Sequence, residues 1–220
     1  MRTSIDMSSP QTIWLARHGN RLDFVNPEWF NTAERRYDPP LSDDGIIQAQ
    51  QLGNRLIDEN ITHIFASPFL RTIQTANEVA KVLDLSIKLE GGLAEWHNPQ
   101  WMSEHPQTHP SHYLEQEYPR IDWNYSSRIV PQYPETETKM IERTGAIAQQ
   151  LIAEFSEDIL LVGHGASVLG ATWGLVTGNP PVNTALCCLV KVVSEGNNWQ
   201  LELNGDVSHL SQTESKIRLV

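Results

Sequence analysis

The 220-residue chain is short of cysteine, of long apolar runs and of positive charge. Its only cysteines, Cys187 and Cys188, are adjacent within an apolar run. Neighbouring side chains of a strand point to opposite faces, so we expect two buried thiols rather than a disulfide. No run reaches the roughly eighteen apolar residues of a membrane span, and residues 1–10 lack the basic and then apolar pattern of a secretory signal. These absences predict a cytoplasmic protein.

The charge balance restricts the partners that the surface can attract. Lysine and arginine number 16 against 27 acidic residues, which gives a net charge of −11. A surface of this sign disfavours nucleic acid and anionic membranes as partners. Any anion site must therefore be a local basic pocket. A composition of 40% hydrophobic and 20% charged residues is that of an ordinary globular protein, and the length predicts one domain over residues 1–220.

The most informative stretch lies near the N-terminus, where an apolar run ends abruptly in basic residues. Residues 13–16 have the pattern of a strand buried on both faces of a parallel sheet. Arg17, His18 and Arg21 follow, and Gly19 permits a sharp turn and a close approach by a ligand. Ligands of open α/β sheets bind at the carboxyl ends of strands, and guanidinium groups suit phosphoryl oxygens. Taken alone, this stretch equally allows a basic surface turn.

The same pattern, an apolar strand followed by a cationic or titratable residue, occurs at two further strand ends. Residues 159–163 form another apolar run, which is followed by His164 and a glycine. Ser67 ends a third strand and leads into a helix that carries Arg71 in its first turn, where backbone N–H groups also favour an anion. Three strand ends thus deliver cationic groups to one edge of a sheet. The sequence predicts an anion site there.

These motifs occur in one order along nearly the whole chain. They are Arg17-His18-Gly19, Ser67-Pro68 with Arg71 and Thr75-Ala76, Gly92-Leu93-Ala94-Glu95-Trp96, and Gly163-His164-Gly165. On them the chain resembles the histidine phosphatase superfamily, the phosphoglycerate-mutase-like enzymes. Arg21 together with Glu95-Trp96 is most similar to the branch of T-cell-signalling tyrosine phosphatases and ecdysteroid-phosphate phosphatases. Asn20 stands where many members have Glu or Gln. Because of this difference, the resemblance implies the fold more strongly than it implies a substrate.

The fold expected is α/β, a three-layer α/β/α sandwich around a mainly parallel, phosphoglycerate-mutase-like sheet. Apolar patterning predicts strands at 13–16, 61–66, 87–89, 159–163, 185–193 and 200–203, and helices from Ser42 through Ile57 and at 69–83, 137–155 and 167–176.

In two segments the apolar residues show no clear helical or strand period. We predict a long functional loop over residues 22–40. Residues 97–134 hold six of the thirteen prolines and four of the five tyrosines. A structureless stretch of this length is unusual inside a domain, and the resemblance also places an insertion here. We therefore expect 97–134 to contain short helices and to fold over the site as a lid.

Phosphoryl transfer needs an in-line nucleophile and cations over the phosphoryl oxygens. His18 is the candidate nucleophile, which requires one neutral ring nitrogen and an acceptor for the N–H of the other. The groups expected to bind the phosphate are Arg17, Arg21, Arg71 and a preferably protonated His164, which also belongs to the catalytic set. The plainer alternatives are a structural histidine and exposed ion pairs.

Phosphoryl transfer also needs a proton for the leaving oxygen. Glu95 is the candidate general acid, because its apolar neighbour Trp96 should raise its pKa. The alternative for Glu95 is a solvated loop carboxylate.

Four histidines in the insertion raise the question of zinc: His97, His105, His109 and His112. Pro106 and Pro110 interrupt any shared helical face, and no cysteine or well-spaced carboxylate accompanies them. We expect solvent-exposed lid histidines, no metal and no cofactor.

The sequence therefore predicts a metal-independent phosphomonoesterase that acts through a phosphohistidine. Because 22–40 and 97–134 are rich in aromatic residues and poor in lysine, we expect a preference for aryl or bulky apolar phosphates, as small molecules or peptides. The alternatives are a phosphoglycerate-mutase-type phosphotransferase and a catalytically inactive interaction protein of the same fold. The sequence indicates no oligomeric state.

Overall fold

The computed structural model describes residues 10–196 and 198–211. Its centre is a six-stranded sheet, with strands β1 (Thr12–Arg17), β2 (Ile61–Ala66), β3 (Ile87–Leu89), β4 (Asp158–Gly163), β5 (Leu189–Glu195) and β6 (Asn198–Asp206). Their spatial order is β3-β2-β4-β1-β5-β6. The first four strands of this order run parallel, whereas β5 is antiparallel to β1 and β6 is antiparallel to β5. The predicted mainly parallel sheet is confirmed.

Helices cover both faces of the sheet. Those in the described ranges are α1 (Leu22–Val25), α2 (Trp29–Thr32), α3 (Asp43–Arg55), α4 (Leu70–Leu83), α5 (Ser111–Glu117), α6 (Glu137–Glu154) and α7 (Gly165–Leu175). On one face, Leu52 of α3 and Ala76 of α4 share a buried apolar cluster with the sheet. On the other face, Ile147 of α6 and Val168 of α7 do the same. The three-layer sandwich is confirmed.

Helix α3 begins where the sequence predicts. The Ser42 side chain accepts a hydrogen bond from the N–H of Gly45 (3.3 Å), and Asp43 and Asp44 favour the positive end of the helix dipole. Its other end differs from the prediction. The helix stops at Arg55, so the 3.6-residue period no longer applies to Ile57, which is 58% exposed instead of buried.

The strand predicted over 185–193 begins only at Leu189. Cys187 and Cys188 lie in a turn before it, where Cys187 has a φ of +53° and donates its N–H to the carbonyl of His18 (3.0 Å). Both thiols are free and buried, but they are not on opposite faces of a strand as expected. Through this hydrogen bond, the backbone of the turn contacts the loop that follows β1.

The two segments without a clear period contain short helices. Residues 22–40 include α1 and α2, and residues 97–134 include α5, as predicted for the latter segment. Residues 1–9, which were read for a signal pattern, and Asn197 of the turn between β5 and β6 lie outside the described residues. In the part of the chain that the structure describes, no helix is long and apolar enough to cross a membrane.

Candidate active site

The register of two central strands brings His18 and His164 together. Strands β1 and β4 are parallel neighbours, and Arg17 is paired with Gly163 at their carboxyl ends. The next residue of each strand is a histidine. The two imidazole rings are buried, with centroids 5.3 Å apart in an edge-on arrangement. The N–H of His18 also donates to the carbonyl of Gly163 (3.0 Å). The predicted meeting of the strand ends is therefore found.

One ring nitrogen of His18 is free to react. The other, Nδ1, lies 2.7 Å from the carbonyl oxygen of Gly19. A carbonyl can only accept, so Nδ1 carries the proton and Nε2 keeps its lone pair. Burial, followed by the charges of Arg71 and Arg17, lowers the pKa of His18 well below 6.5. The imidazole is thus neutral near pH 7, in the tautomer that a nucleophile requires.

The turn that carries His18 is fixed by contacts with α3 and α4. The N–H of Gly19 donates to the Thr75 hydroxyl (3.1 Å), and a Cβ at position 19 would lie 2.6 Å from the carbonyl oxygen of Gly45. Asn20 is fully buried and its side chain donates to Asp44 (2.8 Å). The side chain of Asn20, the residue that differs from many family members, therefore holds the turn against α3.

Two of the predicted arginines are held at the same edge of the sheet. Arg17 donates through Nη1 to the carbonyl of Thr184 (2.7 Å). Arg71 is fully buried and donates through Nη1 to the carbonyl of Tyr37 (3.3 Å) and through Nη2 to Glu95 (3.2 Å). Burial, followed by the charge of Arg21, lowers the pKa of Arg71 to about 10. The guanidinium remains a cation near pH 7.

Two buried donors of the site lack an acceptor among the described residues. They are Nε of Arg17 and Nε of Arg71. A buried donor without an acceptor is costly. Their position at two of the predicted strand ends favours a ligand with acceptor oxygens and negative charge.

Arg21 lies near these groups but is engaged by a neighbour. Its charge contributes to the lowered pKa of His18 and of Arg71, which places it close to both. Its Nε donates to Asp23 (2.9 Å), Nη2 contacts the same carboxylate, and the guanidinium stacks 4.3 Å from the centroid of the Phe24 ring. A phosphate would have to share Arg21 with Asp23.

Glu95 reaches the site, but its environment differs from the prediction. Its Oε2 atom lies 3.2 Å from Nη2 of Arg71 and 3.2 Å from Nδ1 of His164, and its Oε1 atom accepts from the N–H of Trp96 (3.0 Å). Burial alone would raise the pKa of Glu95, but His164 and Arg71 outweigh burial and hold the pKa well below 4.5. The expected rise caused by Trp96 is wrong, because the guanidinium of Arg71 and the imidazole of His164 contact the carboxylate.

His164 is also not in the expected protonation state. Burial lowers its pKa to about 4, against the opposing effect of Glu95, so the ring is neutral near pH 7 rather than protonated. Its Nε2 lies 2.9 Å from the hydroxyl of Ser67. If Ser67 donates to Nε2, then Nδ1 carries the proton and points to the Glu95 side of the site.

The prediction that the histidines of the 97–134 segment are exposed is wrong for His97 and His109. His97 is 2% exposed and its Nδ1 lies 3.1 Å from the carbonyl of Gln132. His109 is partly buried, and its Nδ1 lies 3.0 Å from Asp38. Asp38 is fully buried, lies 3.9 Å from Nη1 of Arg71 and accepts the first N–H of α4, from Leu70 (2.6 Å). His105 and His112 are exposed as predicted.

Sequence reasoning missed the residues that hold the predicted ones in place: Asp38, Glu135 and Arg143. One signal for Arg143 was available. It lies three residues after Met140 and four before Ile147, on the buried face of α6, where a cation is rarely placed without a partner. No comparable pattern marks Asp38 or Glu135.

The site also offers a possible set of metal ligands. One ligand atom each of His18, Glu95 and His164 lie within 4.8 Å of one another. Two histidines and a carboxylate are donors that a transition metal accepts. However, Arg17 and Arg71 contribute two positive charges to the same pocket, so its electrostatics favour an anion over a cation.

A cavity of about 310 Å³ is lined by Asp38, whose carboxylate lies 3.9 Å from Nη1 of Arg71. It is lined by none of the candidate site residues Arg17, His18, Arg71, Glu95 and His164. Both irregular segments contribute to its wall, which includes Trp29, Asp38, Leu70, His109 and Tyr113. Its volume is at the lower end of the range for small-molecule sites.

Comparison with known proteins supports the resemblance read from the motifs. A family model described as histidine phosphatase superfamily (branch 1) matches residues 13–207. The chain is 27% identical to the ecdysteroid-phosphate phosphatase of Drosophila melanogaster over an alignment that covers 90% of this chain and 33% of the relative. The chain thus spans about a third of that relative's length.

Two further similarities cover nearly whole proteins. The chain is 31% identical to a probable phosphoglycerate mutase, GpmB, of Proteus mirabilis (strain HI4320), over 90% of this chain and 94% of the relative. The structure of the ecdysone phosphate phosphatase from Bombix mori, in complex with tungstate, has the same fold with a TM-score of 0.75 at 20% identity, over 96% of this chain and 98% of that chain.

Proposed function

Because the chain belongs to the histidine phosphatase superfamily, branch 1, we propose that it is a phosphomonoesterase that forms a covalent phosphohistidine at His18. One observation carries this proposal. Nδ1 of His18 is hydrogen-bonded to the carbonyl of Gly19, so Nε2 is unprotonated, and the charges of Arg71 and Arg17 lie close enough to lower the pKa of the ring. A neutral imidazole beside buried cations suits attack on a phosphoryl group.

In the first step, Nε2 of His18 forms a bond to phosphorus and the bond to the leaving oxygen breaks. Arg17 and Arg71 would stabilise the phosphoryl oxygens, since each has an unpartnered Nε donor. Nδ1 of His164 would join them once the phosphate draws it away from Glu95. When phosphate pairs with Arg71, Glu95 loses part of the positive charge that keeps its pKa low. The carboxylate can then take a proton and deliver it to the leaving oxygen.

In the second step, a water oxygen forms a bond to phosphorus and the bond to Nε2 breaks. Glu95, left as a carboxylate by the first step, would accept the proton of this water. The same residue thus serves as acid and then as base. The low pKa of Glu95 in the ligand-free protein suits its role as a base. Its role as an acid requires the pKa to rise after the phosphate has bound.

The mechanism needs no metal. Positive charge at the phosphoryl oxygens would come from Arg17 and Arg71, and the proton would come from Glu95. A cation bound by His18, Glu95 and His164 would occupy the nucleophile and lie beside both guanidiniums. These points support a metal-independent reaction.

For the substrate we propose an aryl or bulky apolar phosphate. The cavity beside Asp38 has Trp29 from the 22–40 segment and Tyr113 from the 97–134 segment in its wall, which supports the role proposed for these segments. An ecdysteroid phosphate, named for the Drosophila relative, carries its phosphate on a bulky steroid. A lid role for 97–134 and a cytoplasmic location remain predictions from the sequence.

Similarity to a probable phosphoglycerate mutase makes phosphoglycerate exchange the second candidate. Such a substrate carries a carboxylate besides the phosphate and needs further cations. The two arginines of the 97–134 segment are paired elsewhere, Arg120 with Asp84 (3.0 Å) and Arg128 with Glu154 (2.9 Å). Arg35, which lines the cavity, is likewise paired, with Glu34 (3.1 Å). This pairing supports the phosphatase.

The nucleophile can be tested by trapping. Brief incubation with labelled p-nitrophenyl phosphate, quenched in alkali, should leave an acid-labile phosphoryl group that peptide mapping assigns to His18. His18→Ala should lose the label and hydrolysis, whereas His112→Ala, which changes an exposed histidine, should retain both. Full activity in His18→Ala would contradict the proposal. Absence of label and turnover in the unmodified protein would leave the inactive interaction protein as the explanation.

A further inference from the structure

A buried ion pair lies behind the loop that carries Glu95. Arg143 of α6 and Glu135, which precedes this helix, are 8% and 5% exposed. Nε and Nη2 of the guanidinium donate to the two carboxylate oxygens of Glu135, each at 2.7 Å. This is the bidentate arrangement in which Arg and a carboxylate bind most specifically.

The remaining donors of Arg143 all bind the backbone of the loop. Nη1 donates to the carbonyls of Gly92 (2.9 Å) and Ala94 (3.1 Å), and Nη2 donates to the carbonyl of Glu95 itself (3.2 Å). A guanidinium has five N–H groups, and these five bonds use every one. Arg143 therefore has no donor left for a substrate, and its contacts are with the loop and with Glu135.

Glu135 holds the following part of the same loop. Its N–H donates to the carbonyl of His97 (2.9 Å), and its own carbonyl accepts from Nε1 of Trp96 (2.9 Å). The loop from Gly92 to His97 is thus bound to the start of α6 at nearly every residue. We name the Arg143–Glu135 pair the loop clamp.

We propose that the loop clamp positions Glu95 for proton transfer; this inference rests on the proposed function. The side chain of Glu95 contacts Arg71 and His164, the same groups that a bound phosphate would draw towards itself. Once they turn to the phosphate, the carboxylate is held by the Trp96 N–H and by its own backbone. The clamp fixes that backbone, so it sets the distance from the carboxylate to the leaving oxygen.

The chemistry of the pair supports a positioning role. A buried ion pair is seldom more stabilising than apolar residues of the same volume, whereas a planar fork fixes several acceptors in one geometry. Lysine would keep the charge of Arg143 but could not bind three carbonyls and a carboxylate at once. The proposal therefore predicts that geometry, and not charge, is needed at position 143.

The test compares two leaving groups in Arg143→Lys and Glu135→Gln. Hexyl phosphate needs protonation of its leaving oxygen, whereas p-nitrophenyl phosphate does not. We expect kcat for hexyl phosphate to fall about a hundredfold, as for a misplaced catalytic group, and kcat for p-nitrophenyl phosphate to change less than about fivefold. Arg128→Met is the matched control, because Arg128 and Glu154 also join the 97–134 segment to α6, but on the surface. It should leave both rates unchanged.

A second readout needs no turnover. The amide N–H of Trp96 donates to Oε1 of Glu95 (3.0 Å), so its hydrogen exchange reports whether residues 95 and 96 keep their geometry. Exchange at Trp96 should be faster in Arg143→Lys than in the unmodified protein and Arg128→Met, with the far-UV spectrum unchanged.

Equal losses on both substrates, or unaltered rates and unaltered Trp96 exchange in Arg143→Lys, would overturn the positioning role. If the unmodified protein hydrolyses neither substrate, the proposed function fails and Trp96 exchange alone decides. Faster exchange in Arg143→Lys then still supports positioning of Glu95 by the clamp, and unchanged exchange overturns it.

Discussion

The Oε2 atom of Glu95 lies 3.2 Å from Nη2 of Arg71. The candidate acid is thus paired with the cation that we propose binds the phosphate. A phosphoryl oxygen at Arg71 competes with Glu95 for the same guanidinium. Binding of the phosphate therefore weakens the interaction that stabilises the ionised carboxylate. On the proposed function, substrate binding and protonation of Glu95 would be coupled through Arg71.

This coupling makes the role of Glu95 testable with different leaving groups. Glu95→Gln keeps the size of the side chain but removes the transferable proton. Hydrolysis of hexyl phosphate should fall about a hundred- to ten-thousandfold, as general acid catalysis contributes, while p-nitrophenyl phosphate should form the phosphoenzyme at a nearly unchanged rate. Single-turnover measurements with both substrates separate this step from hydrolysis of the intermediate. Equal losses in phosphoenzyme formation would assign Glu95 to binding.

Metal independence is checked by chelation. The pocket already has the guanidiniums of Arg17 and Arg71, so hydrolysis should survive exhaustive dialysis against EDTA and should not rise with added zinc or magnesium. Loss of activity with EDTA that is restored by either metal would show a metal-dependent reaction, for which His18, Glu95 and His164 are the candidate ligands, and would exclude the mechanism proposed.

The buried histidines should make the fold sensitive to acid. Burial lowers the pKa of His97 to about 4, against an ordinary value of 6.5. Since the unfolded chain takes up the proton first, the contribution of neutral His97 is present above pH 6.5 and is lost as the pH falls towards 4. One such group changes the free energy of unfolding by at most about 1.4 kcal/mol per pH unit.

The measurement is urea denaturation at pH 7 and pH 5. The free energy of unfolding should fall less between these two values in His97→Gln than in the unmodified protein. His112→Gln, a change of an exposed histidine in the same segment, should show the unmodified protein's dependence. An identical pH dependence in all three proteins would mean that His97 is not held neutral.

Substrate preference tests the cavity beside Asp38. We expect higher kcat/KM for naphthyl phosphate and phosphotyrosine peptides than for 3-phosphoglycerate, with no exchange between phosphoglycerates. Trp29→Ala should raise KM for naphthyl phosphate about three- to tenfold, the range for an aromatic contact, and leave KM for hexyl phosphate nearly unchanged. Trp123→Ala, which alters an exposed tryptophan outside the cavity, is the control. A preference for 3-phosphoglycerate would support the mutase instead.

The strand-end residues could be predicted because local sequence determines their place. An apolar strand that ends in Arg17 and His18, and another that ends at His164, need only parallel pairing to bring the histidines together. The sandwich and the meeting of His18, Arg71, Glu95 and His164 followed from such patterns. The protonation states of these residues in the fold were harder to predict from the sequence. The pKa of Glu95 depends on which groups touch its carboxylate, and sequence adjacency to Trp96 gave the wrong direction.

Long-range pairs were beyond the reach of the sequence. Arg143 binds the carbonyls of Gly92 and Ala94 only because α6 packs against a loop that lies far away in the sequence, and no local period encodes that contact. The burial of His97 has the same origin, since its partner Gln132 lies at the other end of the 97–134 segment. Ile57 shows a different error. The apolar period of α3 predicted that Ile57 is buried, but the helix ends before this residue.

Asp38 has a consequence for redesign of this protein. Its carboxylate begins α4 through Leu70, faces Arg71, accepts from His109 and lines the cavity. On the proposed function, exchange of the wall residues Trp29 and Tyr113 would change the surroundings of the substrate body and leave Arg17 and Arg71 in place. Asp38 cannot be exchanged in this way, because one substitution there would alter the helix start, the cation and the wall together. Libraries aimed at new substrates should vary the aromatic wall and keep Asp38 constant.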